Sequence, residues 1–129
     1  MLTTQIHPTE AQLNQLKTYP KDKPLAMLNI IRFKKRTTTN ETGQEAYARY
    51  FKNVAPFVAK AKAKLIWKGN VHTSVIGNLE NQPHVVFIVE YRSVASFFEM
   101  VSNPTYQIIA NDRSIALEYG GLIACETVE

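Results

Sequence analysis

Four polar or charged side chains sit where the surrounding pattern is apolar, and these are the residues that could do chemistry: Asn29, Arg32, Glu90 and Arg113. Asn29 alternates with Met27, Ile31 and Phe33, while Arg32 alternates with Leu28 and Ile30. Glu90 falls beside Val86 and Ile88, and Arg113 lies on a helical stripe with Tyr106 and Ile109. Removing a charge from water without a partner is costly, so each group needs one. Two arrangements meet that need. In the first, an internal Arg113–Glu90 pair locks helix to sheet. In the second, a cavity between helices and sheet holds an anionic or carbonyl ligand against Arg113 or Arg32. Asn29 would be a further polar anchor there, and Tyr47, Tyr50, Trp67 and Tyr106 the walls. In a catalytic cavity, Glu90 is the candidate base, Arg113 the second candidate catalytic group and a tyrosine the proton donor.

Other constellations are missing. The chain has no Gly-rich phosphate loop, no Gly-x-Ser-x-Gly elbow and no Cys-x-x-Cys pair. Cys125 has apolar and small neighbours and nothing cationic beside it, which reads as a buried, inert thiol. The spacings of His7, His72 and His84 match no compact metal motif, so no metal is expected. His72 and His84 could meet across a hairpin, but read as solvent-facing strand residues.

Positioning these groups requires a sheet and helices. Pro8-Thr9-Glu10 opens a short helical pattern, and Tyr19 to Pro24 breaks it twice, so residues 1–23 read as an appendage to a domain spanning 24–129. Leu25 to Lys34 reads as a strand apolar on both faces. Tyr47, Tyr50, Phe51, Val54, Phe57, Val58 and Ala61 form one helical stripe, with Pro56 expected to kink it or end its first half. Lys64 to Ile76 reads as a long strand with a bulge or close approach at Gly69. His84 to Arg92 is a third strand, again apolar on both faces and paired with the second as a hairpin. Ser93 is the N-cap of a helix interrupted at Asn103-Pro104, with Gly120-Gly121 expected to close its second piece. Leu122 to Val128 is the last strand. This order implies an α+β fold, a four-stranded antiparallel sheet with helices on one face. Strands apolar on both sides imply a cover for the other face, and a second copy of the chain is the simplest cover.

Composition excludes several classes. With 129 residues, 45% of them hydrophobic and 20% charged, the chain fits one globular domain and not a disordered one. The longest apolar run, Val85 to Val89, is far short of the roughly 20 residues that span a bilayer. The N-terminus lacks the basic start and apolar stretch of a signal peptide, and a single cysteine suits a reducing compartment, so a cytoplasmic location is expected. The net charge of +4 is dispersed: Lys34-Lys35-Arg36 is a short run, and the remaining lysines lie off the aromatic stripes. That distribution argues for a solvated surface, against nucleic acid as a partner.

Met27-Leu28-Asn29-Ile30-Ile31-Arg32-Phe33 with Glu45-Ala46-Tyr47-Ala48-Arg49-Tyr50 resembles the domain-of-unknown-function 1330 family. Trp67-Lys68-Gly69, Val89-Glu90-Tyr91 and the run from Phe97 to Tyr106, then Arg113 and Leu117, add to the likeness, which covers about Pro24 to Ile123. Ser93 departs from it where a proline is expected, and residues 1–23 have no counterpart. The resemblance implies the dimeric α/β-barrel superfamily, in which two ferredoxin-like sheets face each other. Superfamily relatives include cofactor-independent oxygenases acting on aromatic substrates, small isomerases and haem enzymes. No haem-ligand signature is present here, so no cofactor is expected. The resulting expectation is a small-molecule-binding homodimer, as an oxygenase- or isomerase-like enzyme on a small aromatic or carbonyl compound. The alternative is a non-catalytic binding or structural dimer with internal ion pairs in place of a site.

Overall fold

The computed structural model describes residues 5–128; the first four residues of the N-terminal segment and Glu129 lie outside the described residues. The elements run α1 (Glu10–Leu16), β1 (Leu25–Phe33), α2 (Gly43–Lys60), β2 (Lys64–Asn70), β3 (Val85–Tyr91), α3 (Val94–Ser102), α4 (Pro104–Ala116) and β4 (Leu117–Cys125). Side chains set the helix starts. Thr9 and Thr42 form capping boxes with Gln12 and Glu45, Ser93 accepts from the Ser96 N–H, and Asn103 caps α4 at its leading proline. Each cap satisfies an amide that the helix itself cannot, an effect of about 1 kcal/mol.

The four strands form one antiparallel sheet in the order β2-β3-β1-β4. Alternation decides what each face meets. Leu25, Met27 and Ile31 of β1 and Val85, Phe87, Val89 and Tyr91 of β3 are buried beneath the helices. Phe51 of α2 meets Phe87 edge-on at 5.7 Å, and Phe97 of α3 meets Tyr91 at 5.2 Å. Burying side chains of this size contributes roughly 1.5–3 kcal/mol each, which is what holds the helical layer down. On the opposite face Leu28, Ile30, Val86 and Ile88 are half-buried, and Trp67 and Ile123 stay 56% and 49% exposed. α1 does not cover that face. Its Leu16 and, in the turn that follows, Tyr19 pack against the core, and Lys17 Nζ lies 5.8 Å from the Phe98 ring of α3.

Several boundaries differ from those expected. β2 ends at Asn70 instead of Ile76, and residues 71–84 form a loop whose Val75 and Ile76 are 90% and 95% exposed. The β2 bulge lies between Leu65 and Trp67, while Gly69 takes the close approach: a Cβ there would sit 2.6 Å from the Trp67 ring. α2 runs unbroken through Pro56 to Lys60. α4 ends at Ala116, and Gly120 and Gly121 belong to β4, which starts at Leu117 instead of Leu122. The reason is steric, because a Cβ at Gly120 would lie 2.5 Å from Arg113 Nη2. Cys125 is half-buried, not enclosed.

Candidate functional site

Side chains fill the helix-facing side of the sheet only in part. Between it, α2–α4 and the N-terminal segment lies a cavity of about 1580 Å³. Asn29, Tyr47, Tyr50, Tyr106 and Arg113 all line it, which brings five of the eight sequence candidates together. α2 presents Tyr47 and Tyr50 one turn apart, with ring centroids 5.3 Å from each other. α4 supplies Tyr106, whose hydroxyl lies 3.1 Å from that of Tyr50 and whose ring meets Phe57 edge-on at 6.2 Å. Asn29 projects from β1 on the same side as Met27, its Nδ2 donating to the Met27 carbonyl at 3.2 Å.

Arg113 closes one end of the cavity. Its Nη1 donates to the Ile6 carbonyl at 2.9 Å and its Nη2 to the Gly120 carbonyl at 3.4 Å. The Gly120 N–H in turn donates to the Gln5 carbonyl at 3.1 Å, and Ser114 Oγ lies 3.3 Å from His7 Nε2. Residues 5–7 are thereby tied to α4 and β4, and residues 5–8 line the cavity.

Electrostatics follow from burial. Desolvation pushes the hydroxyls of Tyr47, Tyr50 and Tyr91 well above the usual tyrosine range, and Tyr106 adds to the effect in all three. The Arg113 cation acts in the opposite direction on Tyr47 and Tyr50. These phenols stay protonated at physiological pH and are available as hydrogen-bond donors.

Three candidates lie elsewhere. Arg32 points to the opposite face, where Nε meets Glu118 Oε2 at 2.6 Å and Nη1 donates to the Gln82 carbonyl at 2.6 Å. Glu90 is on that face too, opposite Ala26 and Lys64, so the Arg113–Glu90 pair is not formed and no base at Glu90 faces the cavity. Trp67 is carried outward by the register shift after Leu65 and is absent from the cavity wall. His72 and His84 do not meet. His84 stacks on Phe33 at 5.5 Å, with Nδ1 accepting the Phe33 N–H. Among the described residues, no group of three or more His, Cys, Asp or Glu could hold a metal, and no helix is long and apolar enough to cross a membrane.

Sequence reasoning missed Tyr91. It shares parity with Val85, Phe87 and Val89, the buried face of β3, so a cavity contact was readable once that face was assigned. The ties made by residues 5–7 had no such signal.

Sheet order, helical layer and cavity define an α+β protein of ferredoxin-like fold. The sequence matches the family described as Domain of unknown function (DUF1330) over residues 37–127, and the chain belongs to that family. The matched stretch begins after β1. A protein of unknown function from Rhodopseudomonas palustris is 32% identical, with a TM-score of 0.93 over 98% of this chain and 99% of that one. A hydroxynitrile lyase from Passiflora edulis shares the fold at 13% identity and a TM-score of 0.61, over 84% and 96% of the two chains. A dimeric protein of unknown function and ferredoxin-like fold from Bacteroides fragilis does so at 8% identity and 0.56, over 84% and 100%. No curated protein matches the sequence.

Proposed function

We propose that this chain is a small-molecule-binding homodimer whose ligand occupies the cavity between helices and sheet, as a small aromatic or carbonyl compound. The carrying observation is the cavity itself: about 1580 Å³ left open at the centre of a small domain, with Tyr47, Tyr50, Tyr91 and Tyr106 beside Arg113. Pockets that take small molecules run from about 300 to 1,000 Å³ and combine apolar walls with a few convergent polar groups. The reading of a filled interior locked by an Arg113–Glu90 pair lacks the pair, and the core leaves this space beside it. Chemistry at this site would be cofactor-independent, of an oxygenase or isomerase kind, with neutral phenols as proton donors and Arg113 polarising a carbonyl. The dimeric Bacteroides fragilis protein and the uncovered apolar sheet face support pairing of two copies.

Native mass spectrometry of freshly purified protein tests both parts. The expected mass is twice that of the 14.6 kDa chain, plus a co-purifying small molecule released on denaturation. A bare monomer would sink the dimer. A protein whose cavity accepts none of a broad set of small aromatic and carbonyl compounds would sink the binding reading.

A further inference from the structure

The cavity has an unusual charge balance. Arg113 is the one Lys, Arg, Asp or Glu among the described residues that line it. No carboxylate neutralises it: the ion pairs among the described residues involve Lys23, Arg32 and Arg49. Its acceptors are two neutral backbone carbonyls, of Ile6 and Gly120. Because a guanidinium carries five N–H donors, three remain without a partner among the described residues. Tyr47 adds a second donor. The residue is 4% exposed, and its hydroxyl makes no hydrogen bond to the described residues, so it opens on the cavity. One stretch of the wall is apolar, formed by Phe51, Val54, Phe87, Val89 and Phe97, while Gln12, Asn29 and Gln107 are neutral polar members of the lining and His7 lies on the Arg113 side.

Resting on the small-molecule reading above, we infer that the ligand is an amphipathic monoanion, a carboxylate on an apolar body, with its carboxylate on Arg113 and Tyr47. A single cation matches a single negative charge. A dianion would leave one charge uncompensated in a wall whose described residues include no second Lys or Arg, and an amine would face Arg113 with no acceptor charge at all. The apolar body lies along the phenylalanine and valine wall. The three remaining guanidinium donors let the carboxylate bind while the Ile6 carbonyl stays in place.

Calorimetric titration of the full chain with naphthylacetate, naphthylacetamide and naphthylethylamine, which share one apolar body, tests this. The expected order is the acid about tenfold or more tighter than the amide, with the amine weakest, since a charge-assisted bond outweighs a neutral one. Arg113→Gln should bring the acid to the affinity of the amide, while Arg113→Lys, which keeps the charge, should retain part of the preference. If the glutamine variant fails to fold, the order of the three probes on the unaltered protein still decides. Equal binding of acid and amide, or tighter binding of the amine, overturns the inference and leaves the small-molecule reading standing. Binding of none of the three overturns the inference, and the small-molecule reading falls with it only when the broad set of compounds fails as well.

Discussion

His84 immediately precedes β3, with its ring stacked on Phe33 and its Nδ1 accepting the Phe33 N–H at 3.0 Å. An imidazole that accepts at Nδ1 is neutral there, and protonation would set a donor against a donor. Burial and the Arg32 cation lower its pKa from the ordinary 6.5, with Glu118 opposing. The unfolded chain therefore binds this proton at a higher pH than the folded one. Stability from His84 is complete above the unfolded value and is lost as pH falls from there through the lower folded one. The melting temperature should fall between about pH 7.5 and about pH 5, and the fall should shrink in His84→Asn, whose amide oxygen can replace Nδ1 as acceptor. An unchanged slope in the variant would assign the pH dependence to other groups. At this scale the legible part of the site was what alternation and helical period fix: Asn29, Tyr47, Tyr50, Tyr106 and Arg113. Glu90 was misplaced because β3 is apolar on both faces, so composition did not say which parity met the helices. Arg32 stood on the parity opposite Asn29 for the same reason. Trp67 was misplaced by a one-residue bulge, and no residue type at Ile66 announces one.

The helix that carries two of the cavity tyrosines is anchored at its first residue. Gly43 N donates to the Lys34 carbonyl at 2.9 Å, and Lys34 N donates to the Ala116 carbonyl at 2.9 Å, so the end of β1, the start of α2 and the end of α4 meet at one point. A Cβ on Gly43 would lie 2.4 Å from both the Ala116 and Lys34 carbonyl oxygens, and backbone atoms of three elements cannot all yield. Gly43→Ala should lower stability by roughly 3 kcal/mol, the upper end for an overpacked site. Urea unfolding would read this as a lower midpoint with an unchanged slope, and a midpoint within error of the parent would refute the anchor. Helix starts were legible in the sequence because Thr, Ser and Asn caps are local chemistry. The ends of β2 and α4 were not. Residues 71–76 carry strand-forming types but no partner strand beyond Asn70, and the glycine pair resembles a helix stop although its first member, Gly120, makes room for Arg113. Both depend on contacts distant in sequence.

The strand order was legible for the whole molecule, and so was the existence of a second apolar face, whose identity the structure supplies. Leu28 pairs with Ile88 and Ile123, and Ile88 pairs with Trp67, so one row of large apolar side chains crosses all four strands on the side that no helix covers. Contiguous apolar surface of this kind marks an interface, and a closed two-fold pairing of sheets buries each row against its symmetry mate. Ile88 sits at the middle of the row, so in the proposed pairing a charge there would lie near its own copy across the axis and lose water on both sides. Like charges brought together without water cost several kcal/mol, enough to shift a micromolar or weaker pairing fully to monomers. Because the side chain is half-buried in one chain, the fold itself should tolerate the change better than the pairing does. Ile88→Glu is therefore expected to give a folded species of 14.6 kDa in native mass spectrometry, against the twofold mass expected of the parent. A variant that remains paired would move the interface off this face, and one that unfolds would show the isoleucine to be core. Ile123→Glu, at the exposed flank of the row, separates those two outcomes because it touches the pairing with less demand on the fold.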